Sequence, residues 1–142
     1  MPEITLICGR YEGIDQRIID NHIDEEVSIG DYVISGGELA AMVMLEALVR
    51  RIPGIPEDMD SILSESFEDG ILDHPQFSRP EIVNGFSVPS VLLKGNHEEI
   101  RRWRRKMSLG ITLAKRPDLL KNVKLTKEDD KLLKEYVDER KK

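Results

Sequence analysis

The sequence predicts an α/β fold followed by a smaller, mainly helical region. Short β-branched runs near the start, beginning with Ile4–Cys8, end at glycines and are typical of buried strands. The segment 38–51 is apolar almost all round, which is typical of a buried helix. Beyond residue 96, apolar residues recur at helical spacing among many charges. A segment rich in acids separates these regions, so we predict three parts: 1–54, a linker at 55–66, and 67–142.

In the first part, the pattern predicts strands at 4–8, 24–28 and 32–34 and a short helix at 14–23. The longer helix at 38–51 follows two glycines, and Glu38 complements the positive end of its dipole. Pro53-Gly54 ends it. Because this helix has almost no polar face, we expect it to be buried, either in a core or against a second subunit.

In the third part, a Pro- and Gly-punctuated passage precedes at least two helices. The first is predicted at 97–108, with Asn96 as its N-cap. The last includes residues 132–137 and is amphipathic. Thr126 and Asp129 match the looser capping-box pattern, in which aspartate replaces glutamate.

Composition indicates a soluble globular protein, with 39% hydrophobic and 34% charged residues. No apolar run reaches the roughly 18 residues that a membrane helix needs. The first residues lack the pattern of a secretion signal, so we expect a cytoplasmic protein. Cys8 is the only cysteine, which excludes an internal disulfide and fits a reducing compartment. Its thiol is expected to be buried in the first strand.

The charge is divided unevenly along the chain. Residues 1–70 contain four Lys or Arg and sixteen Asp or Glu, whereas residues 71–142 contain seventeen and eleven. A basic second half within an acidic protein suggests a region that faces nucleic acid. The alternative is a set of solvated helix faces, and charge alone does not decide between the two.

Glycines cluster at the ends of the predicted strands, at positions 9, 13, 30, 36 and 37. A glycine at such a point lets a ligand approach backbone N–H and C=O groups closely. None of these loops matches the dinucleotide-binding or the phosphate-binding glycine motif. Taken by themselves they predict either a small-molecule site or tight turns.

Taken in order, several segments form a more specific pattern. They are CGRYEGID at 8–15, DEEVSIGDYVISGGEL at 24–39, RRIPG at 50–54, SF at 66–67, LDHP at 72–75, SRP at 78–80, VP at 88–89, LKGNH at 93–97 and IRRWR at 100–104. In this order they resemble the TrmD-type bacterial tRNA (guanine-N1)-methyltransferases, without large gaps over nearly the whole chain. The family carries an N-terminal part that nothing in this sequence resembles. Its members are SPOUT methyltransferases, whose α/β domain contains a trefoil knot that composition and periodicity do not predict.

The resemblance implies that residues 1–54 are the C-terminal portion of the knotted domain and bind S-adenosyl-L-methionine. The matched cofactor residues are Gly9, Tyr11, Glu12, Ile29, Gly30, Asp31, Tyr32, Val33, Ile34, Gly36 and Gly37. Of these, Ile29, Tyr32 and Ile34 can supply an apolar wall for the adenine. Glu12 and the acidic run Asp24-Glu25-Glu26 could each hold Mg²⁺ through oxygen ligands. The family is magnesium-assisted, which favours Glu12 over the acidic run.

Two further residues match the family's catalytic pair. Arg50 corresponds to the arginine that engages the guanine carbonyl, and Glu65 to the general base, which is usually an aspartate. The extra methylene of Glu65 displaces the carboxylate by roughly an ångström. Glu65 could instead be one of several solvated linker acids, with Asp60 as the next candidate base. Arg50 could instead pair with Glu46, one helical turn earlier.

The third part is implied to bind tRNA and the first part to form a homodimer. The basic segment, defined as Arg101, Arg102, Arg104, Arg105 and Lys106, is of the kind that contacts phosphates. Trp103 within it is expected in the core, with base stacking as the alternative. The implied activity is methylation of N1 of the guanine immediately 3′ of the tRNA anticodon. The alternative is a non-catalytic, dimerising RNA-binding fragment of that enzyme.

Overall fold

The computed structural model describes residues 3–55 and 65–141. The chain divides into two compact units, Met1–Glu57 and Asp58–Lys142. Most of the predicted linker at 55–66, including Asp60, lies outside the described residues. In the described part of the chain, no helix is both long and apolar enough to cross a membrane.

The described residues of the first unit form two helices, α1 at Gln16–His22 and α2 at Glu38–Val49. The Asp15 carboxylate caps α1 by accepting a hydrogen bond of 2.9 Å from the backbone N–H of Arg17. Helix α2 begins after Gly37 and carries Glu38 in its first turn. Both helices were predicted from the sequence to within two residues at each end.

The prediction of three strands in this unit is wrong. Segments 4–8, 24–28 and 32–34 form no β-strand. An isolated antiparallel bridge joins Arg10 to Gly36. A β-strand is stable only where a neighbouring strand forms backbone hydrogen bonds with it, and no described residue forms such a ladder with these segments. Accordingly, Cys8 is half-buried rather than enclosed in a strand.

Helix α2 is also more exposed than its sequence predicts. None of its residues is buried, and both Leu39 and Met42 are 66% exposed. The sequence predicted burial either in a core or against a second subunit, and the described residues provide no core around α2. Burial against a second subunit stays a prediction. An exposed apolar helix surface of this kind is normally covered by a binding partner or a second subunit in the functional assembly.

In the second unit, the described residues begin with a turn and a short hairpin. Strands β1 (Ile82–Val83) and β2 (Phe86–Ser87) pair in antiparallel register, with Ile82 opposite Ser87. Asn84 and Gly85 join them with φ values of 51° and 83°, the two left-handed residues that a type I′ hairpin turn requires. A 3-10 helix at Ser90–Leu92 follows the hairpin.

Three helices follow in the described part of this unit: α3 at His97–Lys115, α4 at Pro117–Leu120 and α5 at Lys127–Glu139. The Asn96 side chain accepts from two backbone N–H groups in the first turn of α3, as predicted. Helix α3 continues seven residues beyond its predicted end at Ser108. Leu109 and Gly110 in this extension pack against α5, and Pro117 follows its end. Thr126 and Asp129 form the predicted capping box of α5.

The core of the second unit lies between α3 and α5. Leu109 and Leu132 are fully buried there beside Ile71. The ring of Tyr136 packs directly on the backbone of Gly110, where any Cβ atom would overlap it. The Thr112 hydroxyl donates to the Ser108 carbonyl at 2.7 Å and accepts from the Leu72 N–H at 2.8 Å. These contacts fasten the segment before the hairpin to α3.

Candidate functional site

The glycine-rich loops of the first unit line a small, open cavity of about 290 Å³. The backbone N–H of Gly37 donates to the Gly9 carbonyl at 3.0 Å, which holds the two loops together. A Cβ atom on Gly37 would lie 3.0 Å from the Cα of Cys8. The loops can therefore meet because position 37 has no side chain.

An ion pair lies beside this cavity and includes Arg10, one of its lining residues. The Arg10 guanidinium donates from Nε to Glu38 Oε1 at 2.6 Å, and both side chains are largely solvent-exposed. This hydrogen bond lowers the pKa of Glu38 and raises that of Arg10. Glu38 begins α2, so the pair ties the first glycine loop to that helix.

The cofactor residues implied by the resemblance fall into two groups. Gly9, Tyr11, Ile34, Gly36 and Gly37 line the cavity. Six others do not: Glu12, Ile29, Gly30, Asp31, Tyr32 and Val33. Within that second group Val33 is 99% exposed. The ring of Tyr32 lies over Gly30, so the loop folds locally on itself instead of turning towards the cavity.

The cavity has part of the chemistry that S-adenosyl-L-methionine needs. Glycine backbone is available for polar contacts, and Ile14, Ile19 and Ile34 provide an apolar wall. Small-molecule sites commonly have about 300–1,000 Å³, so this one is at the lower limit. The residues present therefore fit one side of the cofactor.

A metal site around Glu12 has little support from its surroundings. Glu12 is exposed on the first glycine loop. Among residues 3–55 and 65–141, no three His, Cys, Asp or Glu side chains come together in a group that could hold a metal ion.

The two residues matched to the catalytic pair lie in different units. Arg50 is half-buried at the C-cap of α2, and its N–H donates to the Glu46 carbonyl at 3.2 Å. Glu65 is half-buried before a tight turn. That turn is fixed by a 2.7 Å hydrogen bond from the Phe67 N–H to the Ile71 carbonyl and by one of 2.9 Å from the Asp73 N–H to Ser66 Oγ.

Most cations of the basic segment are paired with acids. Arg102 and Lys106 each bind a carboxylate on α5, at 2.7 Å from Glu135 and Glu139 respectively. Arg105 donates to the Asp129 carboxylate at 2.8 Å. A fourth pair joins the solvent-exposed side chains of Arg101 and Glu98 on α3 itself.

The pair between Arg105 and Asp129 is the most enclosed of these. Asp129 is 4% exposed and also accepts hydrogen bonds from the Thr126 N–H and hydroxyl. The Arg105 guanidinium, assisted by Thr126, lowers the pKa of Asp129 to about 2. Three of the five cations of the basic segment thus connect α3 to α5.

A larger cavity of about 760 Å³ lies in the second unit, between the chain at 74–81, the 3-10 helix and α3. Trp103 lies at its wall, half-buried, with its ring centroid 6.2 Å from that of Phe77 and 6.5 Å from that of His74. Arg79 and Arg104 also line it. The sequence predicted Trp103 in the core, whereas the structure places it half-buried at the wall of this cavity.

Residues 1–122 match the family described as tRNA (Guanine-1)-methyltransferase TrmD. The chain belongs to this family. It is 57% identical over 136 residues to the tRNA (guanine-N(1)-)-methyltransferase of Aromatoleum aromaticum, 55% over 135 residues to that of Shewanella halifaxensis, and 56% over 137 residues to that of a Marinomonas species.

These alignments cover 95–96% of the chain but 52–55% of each relative. The chain therefore spans about half the length of the curated TrmD relatives that it matches.

Two structural features of this TrmD-family chain, an ion pair and the large cavity, were not predicted from the sequence. Arg10 lies beside Gly9 in a loop already singled out, but its partner Glu38 is 28 residues away. The large cavity forms only when the chain at 74–81 folds over α3. The LDHP and SRP motifs and Trp103 were the available signals, since all three contribute to its wall.

Proposed function

We propose that this chain carries cofactor and substrate residues for S-adenosyl-L-methionine-dependent methylation of N1 of the guanine immediately 3′ of a tRNA anticodon. The observation that supports this most strongly is membership of the TrmD family over residues 1–122. The relatives at 55–57% identity are named tRNA (guanine-N(1)-)-methyltransferases, which identifies the methyl acceptor as tRNA in those proteins.

In the proposed cofactor site, the backbone of Gly9, Gly36 and Gly37 contacts the bound molecule, and Ile34 lies against its adenine. These residues already line one cavity, which supports the assignment. The remaining matched residues, 29–33 and Glu12, would close over the cofactor in the knotted SPOUT domain. When bound, S-adenosyl-L-methionine supplies the electrophilic methyl group.

The reaction also needs a base and a cation, because N1 of guanine carries a proton at neutral pH. We assign proton removal to the Glu65 carboxylate. The Arg50 guanidinium would stabilise the negative charge that develops on the guanine carbonyl oxygen. Mg²⁺, if it takes part, would bind Glu12 together with oxygens of the bound ligands, since Mg²⁺ sites often take few protein ligands.

A homodimer would cover the apolar surface of α2. The exposed side chains include Leu39, Met42, Val43, Leu45 and Leu48. An interface of apolar character is typical of permanent dimers. We therefore propose that α2 packs against a second copy of the chain, in a cytoplasmic protein.

The basic segment is proposed to contact tRNA phosphates. Arg101 pairs with an exposed glutamate, and a surface pair of this kind contributes little and can exchange for a phosphate. Arg104 is exposed and forms no ion pair with any residue that the structure describes. Contacts through Arg102, Arg105 and Lys106 would have to compete with their present carboxylate partners.

A second candidate function is a non-catalytic, dimerising RNA-binding fragment. The small volume of the glycine-loop cavity and the full exposure of Val33 favour it, since the chain alone would then hold the cofactor weakly.

The experiment that separates the two is methyl transfer from labelled S-adenosyl-L-methionine to an unmodified tRNA transcript. Label in the transcript, and none when the guanine 3′ of the anticodon is replaced by adenine, supports the enzyme. Cofactor-independent tRNA binding with no label incorporation supports the fragment.

A further inference from the structure

The large cavity of the second unit combines aromatic and cationic side chains. The rings of Trp103 and Phe77 are tilted at 54° to each other, with centroids 6.2 Å apart. Leu92, Leu93 and Ile100 extend the apolar wall. At about 760 Å³ the space is in the range of sites that hold an organic molecule of several rings.

The two arginines at this cavity differ from the remaining arginines of α3 in having no acidic partner among the described residues. Arg79 and Arg104 line it, and neither forms an ion pair with a residue in the described ranges 3–55 and 65–141. Their neighbours Arg102, Arg105 and Lys106 are all paired. Glu81 is the single acid among the described lining residues, so the cavity has a net positive rim.

We propose that this cavity binds one unpaired nucleotide of an RNA strand, with the base against Trp103 and Phe77 and its phosphate between Arg79 and Arg104. An aromatic face stacks on any base, and arginine at the rim suits the phosphate. A base held in a duplex could not enter, so the site selects a nucleotide turned out of its stack. The inference rests on the proposed RNA-binding function and adds a binding site separate from the glycine loops.

Fluorescence provides a direct test, because Trp103 is the only tryptophan in the chain. Titration of the full chain with a single-stranded heptanucleotide RNA should quench its emission to saturation. The same RNA annealed to its complement should quench far less. Phe77→Leu should weaken single-strand binding roughly 5- to 100-fold through lost stacking.

Arg104→Ala should lower the slope of log affinity against log salt by about 0.7 for the lost phosphate contact. The matched control is Lys115→Ala, which removes another exposed cation of α3, one that does not line the cavity. Its salt slope for quenching should stay near that of the unchanged chain. Circular dichroism of each variant checks that α3 and α5 remain folded, and Arg104→Ala, at an exposed position, keeps the test valid if Phe77→Leu unfolds.

Three results would overturn the proposal: no saturable quenching by single-stranded RNA, equal effects of Arg104→Ala and Lys115→Ala, or an emission change that follows protein concentration without RNA. The last would mean that a second copy of the chain covers the cavity.

Methyl transfer to tRNA is measured separately. Methylation without quenching refutes the nucleotide site alone, whereas quenching without methylation leaves the site and refutes the enzymatic proposal.

Discussion

Replacing Asp129 by asparagine should destabilise the second unit at neutral pH and leave it almost unaffected in acid. Asp129 accepts hydrogen bonds from Arg105 at 2.8 Å and from the backbone N–H of Thr126 at 3.0 Å. Asparagine retains an oxygen for the Thr126 cap but loses the charge that holds Arg105. The substitution therefore isolates the ion pair from the helix cap.

The pKa of Asp129 gives the magnitude. Lowering it from 3.8 to about 2 corresponds to about 2 kcal/mol of folding free energy, at 1.36 kcal/mol for each pKa unit. The native carboxylate binds its proton less tightly than the unfolded one. This stability is therefore fully present above pH 4 and is lost as the pH falls from about 4 to about 2.

Urea unfolding of the chain and of Asp129→Asn, followed by circular dichroism between pH 7 and pH 2, measures this difference. We expect a loss of up to about 2 kcal/mol at pH 7, because besides Arg105 the Thr126 hydrogen bonds that asparagine retains account for part of the pKa shift, and a value close to zero at pH 2. Asp130→Asn is the matched control, because Asp130 is an exposed acid in the same turn of α5. A difference that stays constant with pH, or an equal loss in Asp130→Asn, would refute the role assigned to the ion pair.

Three other predictions follow from the packing and the proposed site. Gly110→Ala should lower the free energy of unfolding by about 1–3 kcal/mol in urea titrations, since its Cβ would overlap the Tyr136 ring; a more stable variant would show that the ring moves aside. In a chain extended to the length of its relatives, Glu65→Gln should reduce the single-turnover methylation rate roughly 10²- to 10⁴-fold, whereas Glu65→Asp should stay active; a near-normal rate for Glu65→Gln would remove it as the base. Sedimentation at micromolar concentration should give a dimer that Met42→Glu dissociates, and a clean monomer for the unchanged chain would contradict the α2 interface.

The features that the sequence predicted correctly are local. Asn96 caps α3 and Thr126 pairs with Asp129 because capping involves residues two or three positions apart. The segment at 4–8 has strand-like composition, but a β-strand requires a second strand to pair with, and composition does not reveal that partner. Local sequence therefore predicted where helices begin and failed for strands.

The candidate site was predicted in part, for the same reason. Motif resemblance identified Gly9 and Gly37, which the structure brings into hydrogen-bond contact. It also identified a basic segment, but Lys106 and its partner Glu139 are 33 residues apart, so the pairing of that segment with α5 was not visible in the sequence. Trp103 meets Phe77 only through the fold of the second unit.

Calorimetric titration of the chain with S-adenosyl-L-methionine tests the central claim, that the first unit holds the methyl donor in its glycine loops. The account predicts saturable heat with one site per chain. Gly37→Ala should weaken it, because a Cβ there would lie 3.0 Å from the Cα of Cys8 and push the two loops slightly apart. Glu65→Gln, outside the cavity, should bind the cofactor like the unchanged chain. Absence of binding heat in the unchanged chain, or equal heat in Gly37→Ala, would contradict the account.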